Sequence, residues 1–206
     1  MSGALDLRFS ELSALERYKL LTGLVIPRPI AWISTWNANG VANCAPFSFF
    51  NALSEDPPLC IVSFGPRGDG ALKHTLKNIR RTGEFVVNLV DEATANAMHL
   101  SSEEIPEEES EFAQAGLTPA PALLVKHPRI AEAPASFECR LYQRLEIRGG
   151  RELILGEILL LHARAGVVDP HTKRVSEAHY RPVGRLYASR YCTTRQRFNL
   201  PGALPD

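Results

Sequence analysis

Two stretches carry residue types that could do chemistry together. The first is Asn43-Cys44-Ala45-Pro46, inside "RPIAWISTWNANGVANCAPFSFFNALSEDPP" at 28–58. Its small side chains would let a planar ring approach the backbone, and flanking amides could hydrogen-bond the ring's carbonyls and nitrogens. Ser34, Thr35, Asn43 and Ser48 add neutral polar groups, and Trp32, Phe47, Phe49 and Phe50 add apolar walls. The second is "KHTLKNIRR" at 73–81. Asp69 is placed to cap a helix whose first turn holds Lys73 and Thr75, with Lys77 one turn on. Free N–H groups, a lysine and a hydroxyl suit a phosphomonoester. A flat heteroaromatic with a phosphate tail would use both stretches. The same residues also fit a hairpin core with incidental polar groups and a solvated basic helix face.

Other chemistries lack their residues. Gly65 and Gly70 have phosphate-loop spacing, but Ala71-Leu72 follow where Lys and Ser/Thr are needed. Arg67-Gly68-Asp69 is read as a chance tripeptide. No GxGxxG follows a strand, so a dinucleotide fold is not expected. The histidines show no HExxH pairing, and Cys44, Cys60, Cys139 and Cys192 form no CxxC, so no metal site is expected. Ser48 lacks a nucleophile elbow. Cys44 would be a nucleophile only beside a base or positive charge, and is read as a packing residue.

The elements that must position these groups follow from pattern. Residues 11–22 read as a helix with a Ser13/Glu16 capping box and a stop at Gly23. Residues 29–36 and 41–49 read as a strand pair turned at Asn39-Gly40, with Pro46 marking a bulge or an edge. Strands are expected at 59–64 and 84–90, and helices at 71–82 and 91–100. "SSEEIPEEESEFAQAGLTPAPA", 101–122, reads as a solvated, mobile excursion. A hairpin of 137–148 and 151–165 turns at Gly149-Gly150, and a short strand lies near 184–190. In the first arm Phe137, Cys139, Leu141, Leu145 and Ile147 face one way, and Glu138, Arg140, Arg144, Glu146 and Arg148 the other. Six or seven strands joined mostly by hairpins, without a βαβ rhythm, imply a mainly β protein with short helices, best read as a closed antiparallel barrel.

The bulk figures agree. The chain has 206 residues, 45% hydrophobic and 22% charged, the length of one domain. Its formal net charge is zero, so no overall field recruits nucleic acid or a membrane surface. The N-terminal stretch lacks signal-peptide character and no apolar run reaches about 20 residues, so a cytoplasmic location is expected.

Ordered pieces then carry a resemblance. "RPIAWIST", "NANGVANCAPFSFFNALSEDPP", "KHTLKNIRRTGEFVVN", "EFAQAGLTPAP", "LGEILLLH" and "YRPVGRLYASRY" span roughly 25–192. The set resembles the flavin reductase-like family of FMN-binding split barrels, which includes flavoredoxins. The resemblance implies one antiparallel split-barrel domain over 1–206, a homodimer, and FMN near the dimer interface. It implies that the ring sits on Asn43, Cys44, Ala45 and Pro46 near Trp32, with Ser34, Thr35 and Ser48 serving the ribityl–phosphate side. Ser63, Lys73, Thr75 and Asn78 would complete the phosphate end, and Arg185 would face a phosphate or the reduced ring. "GRLYA" at 184–188 stands where the family carries GRLGG. The implied activity is hydride transfer from NAD(P)H to flavin, feeding a monooxygenase, and it requires no catalytic side chain. The alternatives are an FMN electron carrier serving an electron-transfer protein, and a flavin-free binding or structural dimer.

Overall fold

The computed structural model describes residues 3–198 together with Leu200 and Gly202, so the expected domain limits at 1 and 206 lie outside the described residues. The strands are β1 (Ala31–Trp36), β2 (Ala42–Phe47), β3 (Phe50–Glu55), β4 (Pro58–Phe64), β5 (Glu84–Asn88), β6 (Pro119–Ala120), β7 (Arg129–Ile130), β8 (Ala135–Ile147), β9 (Arg151–Ala163), β10 (Val183–Arg185) and β11 (Tyr191–Thr193). The helices are α1 (Ala14–Leu24), α2 (His74–Thr82), α3 (Ala95–Leu100) and α4 (Glu111–Gln114). Seven strands form one antiparallel sheet in the order β2-β1-β5-β8-β9-β4-β3.

That order forces closure. Its two ends, β2 and β3, are consecutive in the chain with only Ser48 and Phe49 between them. Laid flat, the edges of seven strands would stand about 29 Å apart. The link from Phe47 to Phe50 reaches at most about 11 Å. The sheet therefore curls until its edges meet. The Phe47 and Phe64 rings touch across the closure, their centroids 4.5 Å apart, and Ser63 N–H donates to Phe49 O at 2.9 Å.

Closure buries the inner face of β1, and α3, α4 and the segment around Ile130 cover its outer face, which accounts for its lack of charge. Ala31 and Ile33 join Val62, Phe64, Phe85 and Ile154 in an inner core, with Leu76 and Ile79 of α2 packed against it. Trp32, one residue out of phase, joins Cys44, Met98, Phe112 and Ile130 in an outer core.

The hairpins, α1's capping box and the mainly β class match the sequence reading; several local expectations do not. The β1–β2 turn runs over Asn37–Val41 rather than the pair Asn39-Gly40, because Asn37 Oδ1 takes the N–H groups of Asn39 and Val41; of the pair only Gly40 has positive φ. Pro46, expected to mark a bulge or an edge, does sit on β2, an edge of the sheet order. Strand β3 had no expected counterpart, since its residues do not alternate cleanly and are mostly exposed. Helix α1 runs through Gly23 to Leu24. Helix α2 begins at His74, because Asp69 Oδ1 accepts from Ala71 N–H and caps that turn instead of the helix. Helix α3 starts only at Ala95, after a turn in which Asp91 and Thr94 bond each other. Residues 101–122 are mostly exposed, but buried Ser101, Glu111, Phe112 and Leu117 fasten the segment to the barrel. Strand β8 alternates less cleanly than its sequence, with register shifts at Glu138/Cys139 and Leu141/Gln143. Glu138 is therefore fully buried, accepting from the N–H groups of Leu123, Leu124 and Val125, while Leu145 and Ile147 are exposed.

Candidate functional site

Two adjoining cavities, of about 130 Å³ and 230 Å³, meet at Pro46 and Ser102 and form one bent cleft. Strand β2 supplies its floor. In the first lobe Asn43, Ala45 and Pro46 face Lys73, His74 and Thr75 from the start of α2. The second lobe is bounded by Ser48, Arg28, Arg185 and Tyr191.

The floor is rigid because Asn43 is bonded on both ends of its amide. Asn78 Nδ2 donates to Thr35 Oγ1 at 3.0 Å, and Thr35 Oγ1 donates to Asn43 Oδ1 at 3.2 Å. Thr75 Oγ1 donates to the same oxygen at 2.9 Å, while Asn43 Nδ2 donates to Glu111 Oε1 at 2.8 Å. The other Glu111 oxygen accepts from Cys44 N–H at 3.2 Å. Burial pushes the Glu111 carboxyl up, against these hydrogen bonds that favour its ionised form. A fully connected buried polar network fixes one arrangement.

The first lobe is suited to an anion. Lys73 precedes helix α2 and gives it no side-chain cap, so its first amides are not satisfied by one. Arg67 Nη1 donates to His74 Nε2 at 2.6 Å, so that ring nitrogen is an acceptor. Burial and the Arg67 charge push His74 down, which keeps it neutral. Arg67 Nε is buried with no hydrogen-bond partner. Such an orphaned donor beside a lysine and an uncapped helix start is the pattern an oxyanion completes. Glutamates compete there: Lys73 Nζ pairs with Glu104 at 2.6 Å. That pair is partly exposed and of the weakly held kind.

The thirteen expected site residues divide by position. Asn43, Ala45, Pro46, Lys73 and Thr75 line the first lobe, and Ser48 and Arg185 the second. Thr35 and Asn78 stand behind the floor and hold it. Trp32 does not wall the cleft: it is fully buried, and its Nε1–H donates to Ser101 Oγ at 2.9 Å. Ser34 donates to Pro128 O at 2.6 Å and accepts from Asn88, inside the fold. The Cys44 side chain is in the outer core, and burial followed by the Glu111 charge pushes its thiol far up, which removes it as a nucleophile. Ser63 lies outside both lobes, accepting from Arg151 Nη1 at 3.1 Å. Arg185 lies in the lobe away from Lys73, so it does not join the phosphate-suited cluster. Arg67, Glu111 and Arg28 were missed. Each sat inside a quoted motif, but none has a local pattern that marks it as lining a cleft.

A family model described as "Flavin reductase like domain" matches residues 23–191. The chain belongs to the flavin reductase-like family. Its structure is similar to that of Pseudomonas fluorescens 2-nitrobenzoate 2-nitroreductase NbaA, at 36% identity and TM-score 0.87, covering 98% of this chain and 99% of the other. It is also similar to nitrilotriacetate monooxygenase component B from Bacillus cereus, at 30% identity and TM-score 0.90, covering 97% and 100%. A flavin reductase with a split-barrel domain from Shewanella frigidimarina shares the fold at 24% identity and TM-score 0.80, over 94% and 96%. The closed sheet described above is thus the split barrel of flavin reductases. Among the described residues no helix is long and apolar enough to cross a membrane.

Proposed function

We propose that this flavin reductase-like chain binds FMN at the first lobe of the bent cleft and passes hydride from NAD(P)H to flavin. The observation that carries the reading is the first lobe, where Arg67 Nε has no hydrogen-bond partner, the Asp69 carboxylate standing off at 3.9 Å, beside Lys73, Thr75 and the uncapped start of α2. The phosphate end of FMN would take these groups, displacing Glu104 from Lys73. Asn43, Ala45 and Pro46, held by Glu111 and Thr35, would carry the ring edge. Bound flavin supplies the hydride chemistry itself, and the protein supplies position and electrostatics. Asn43 stays fixed through its three partners, Thr35, Thr75 and Glu111, and the barrel wall excludes water from below. The likeness to a monooxygenase component B supports a role in delivering reduced flavin to a monooxygenase. The likeness to a nitroreductase favours a second reading, direct reduction of a small aromatic acceptor at the same cleft.

Comparing FMN with riboflavin tests the reading. FMN should bind tighter, and Lys73→Ala should weaken FMN about tenfold while leaving riboflavin unchanged, since a charge-assisted contact is worth roughly 1.5–3 kcal/mol. Equal affinity for the two flavins in fluorescence titration refutes the phosphate assignment. Bleaching near 450 nm on adding NADH or NADPH tests the donor.

A further inference from the structure

The second lobe has a charge problem that its own residues leave open. Arg28 is only 7% exposed. Its guanidinium donates to Thr22 O at 2.7 Å, Val25 O at 3.1 Å, Leu186 O at 3.0 Å and Ser48 Oγ at 3.4 Å. These are all neutral acceptors. Arg185 stacks on the Tyr191 ring, 4.7 Å from its centroid, and donates to Tyr191 Oη and Ala188 O. Among the described residues neither arginine pairs with a carboxylate, although the chain carries as many acidic as basic residues. No Asp or Glu lines this lobe, whereas Glu103, Glu104 and Glu111 line the first. The segment just before β1 is bridged to β10 at Arg28↔Arg185, and burial first, then the Arg185 charge, disfavours the charge of Arg28. Two like charges are thus held against one cavity, one of them buried, with no counter-ion. A buried charge is costly unless paired, and hydrogen bonds to carbonyls satisfy donors without neutralising charge.

We propose that the Arg28–Arg185 lobe is a recognition site for a small oxyanion, carboxylate or phosphate, borne by the molecule that exchanges electrons with the flavin. The proposal rests on the flavin reading above and adds the chemical class of the second ligand. Arg28 uses four N–H groups internally and keeps one of its five, and Arg185 keeps donors of its own. Guanidinium holds planar oxyanions through parallel bonds that an ammonium cannot copy. Because this lobe meets the first at Pro46 and Ser102, an anion anchored here carries its attached ring toward the flavin position. A benzoate-type acceptor presents the carboxylate, and a nicotinamide dinucleotide presents the phosphates.

The test uses two probes that cannot turn over, benzoate and ADP-ribose, titrated calorimetrically into the full chain with and without FMN. Either probe should bind, and Arg185→Gln should weaken it about tenfold or more while FMN affinity stays within twofold. Arg28→Gln should do the same if its thermal melt shows it folded. Because Arg28 also ties three segments together, Arg185→Gln alone decides where it is not. Arg148→Gln, on the exposed hairpin tip, should change nothing. Benzoate binding identifies a carboxylate site and ADP-ribose binding a phosphate site. The proposal is overturned if neither probe binds, if Arg185→Gln leaves both unaffected, or if FMN affinity falls in step with the probes. Failure of the flavin reading shows separately, as no FMN binding in a chain whose probe titration still reads the lobe.

Discussion

At the residue scale, a few side chains outside the cleft decide whether its floor exists. His127 is 2% exposed and joins the end of β1 to the end of α2. Trp36 N–H donates to its Nδ1 at 2.8 Å, so the proton sits on Nε2, which faces Thr82 Oγ1 at 2.8 Å. Burial pushes its pKa down to about 4. The unfolded chain, with an ordinary value near 6.5, binds the proton first as pH falls. Stability from this group is therefore full above about pH 6.5 and is lost progressively toward pH 4, a loss of order 3 kcal/mol. Protonation would set a second donor against the Trp36 amide. Thermal melts from pH 7 to pH 4 should show this slope, and His127→Gln should flatten it. An unchanged slope in the variant would assign acid sensitivity elsewhere. At Ala188, φ is +54°, a left-handed conformation natural to glycine, so this part of the GRLYA turn keeps a glycine-like backbone without the glycine.

At the element scale, the barrel depends on close approach between strands. Gly156 of β9 faces the Phe85 ring, and a Cβ there would lie 2.4 Å from Phe85 Cζ and 3.3 Å from Cys60 Sγ. Phe85 is fully buried and has no space to withdraw. Gly156→Ala should therefore destabilise the fold by about 1–3 kcal/mol, read as a shifted denaturation midpoint. A neutral substitution would mean that the inner core is looser than described. What was legible in the sequence follows the same division. The β1–β2 and β8–β9 hairpins, the α1 capping box and the Lys73–Thr75 helix start are written in neighbouring residues, and all are present. Strand β3 was not legible because an exposed edge strand carries no apolar alternation. Glu111 and Arg28 were not legible because their partners lie far off, Cys44 67 residues away and Leu186 158. The acidic composition of 101–122 pointed to solvent, and most of it is exposed, yet Ser101, Glu111, Phe112 and Leu117 dock it to the barrel.

At the scale of the whole molecule, the closed barrel leaves one edge open. Strand β8 pairs with β5 as far as Arg140, and Leu141 N–H still donates to Gly83 O, so Tyr142–Ile147 has a partner on one side alone, β9. Tyr142, Leu145 and Ile147 on this free stretch are 55%, 44% and 44% exposed. An unpaired edge carrying apolar side chains is a surface that soluble proteins cover. The apolar stretch 158–161 of β9 is a weaker candidate, since Ile158–Leu160 are half-buried within the chain and only Leu161 is exposed. A second copy of this chain, as the family resemblance implies, would cover the β8 edge by an isologous contact. Sedimentation at micromolar concentration should then give a dimer, and Leu145→Lys with Ile147→Lys should shift it toward monomer while the melt of the barrel is retained. A wild-type monomer would refute the association, and an undiminished dimer in the double variant would move the contact away from this edge.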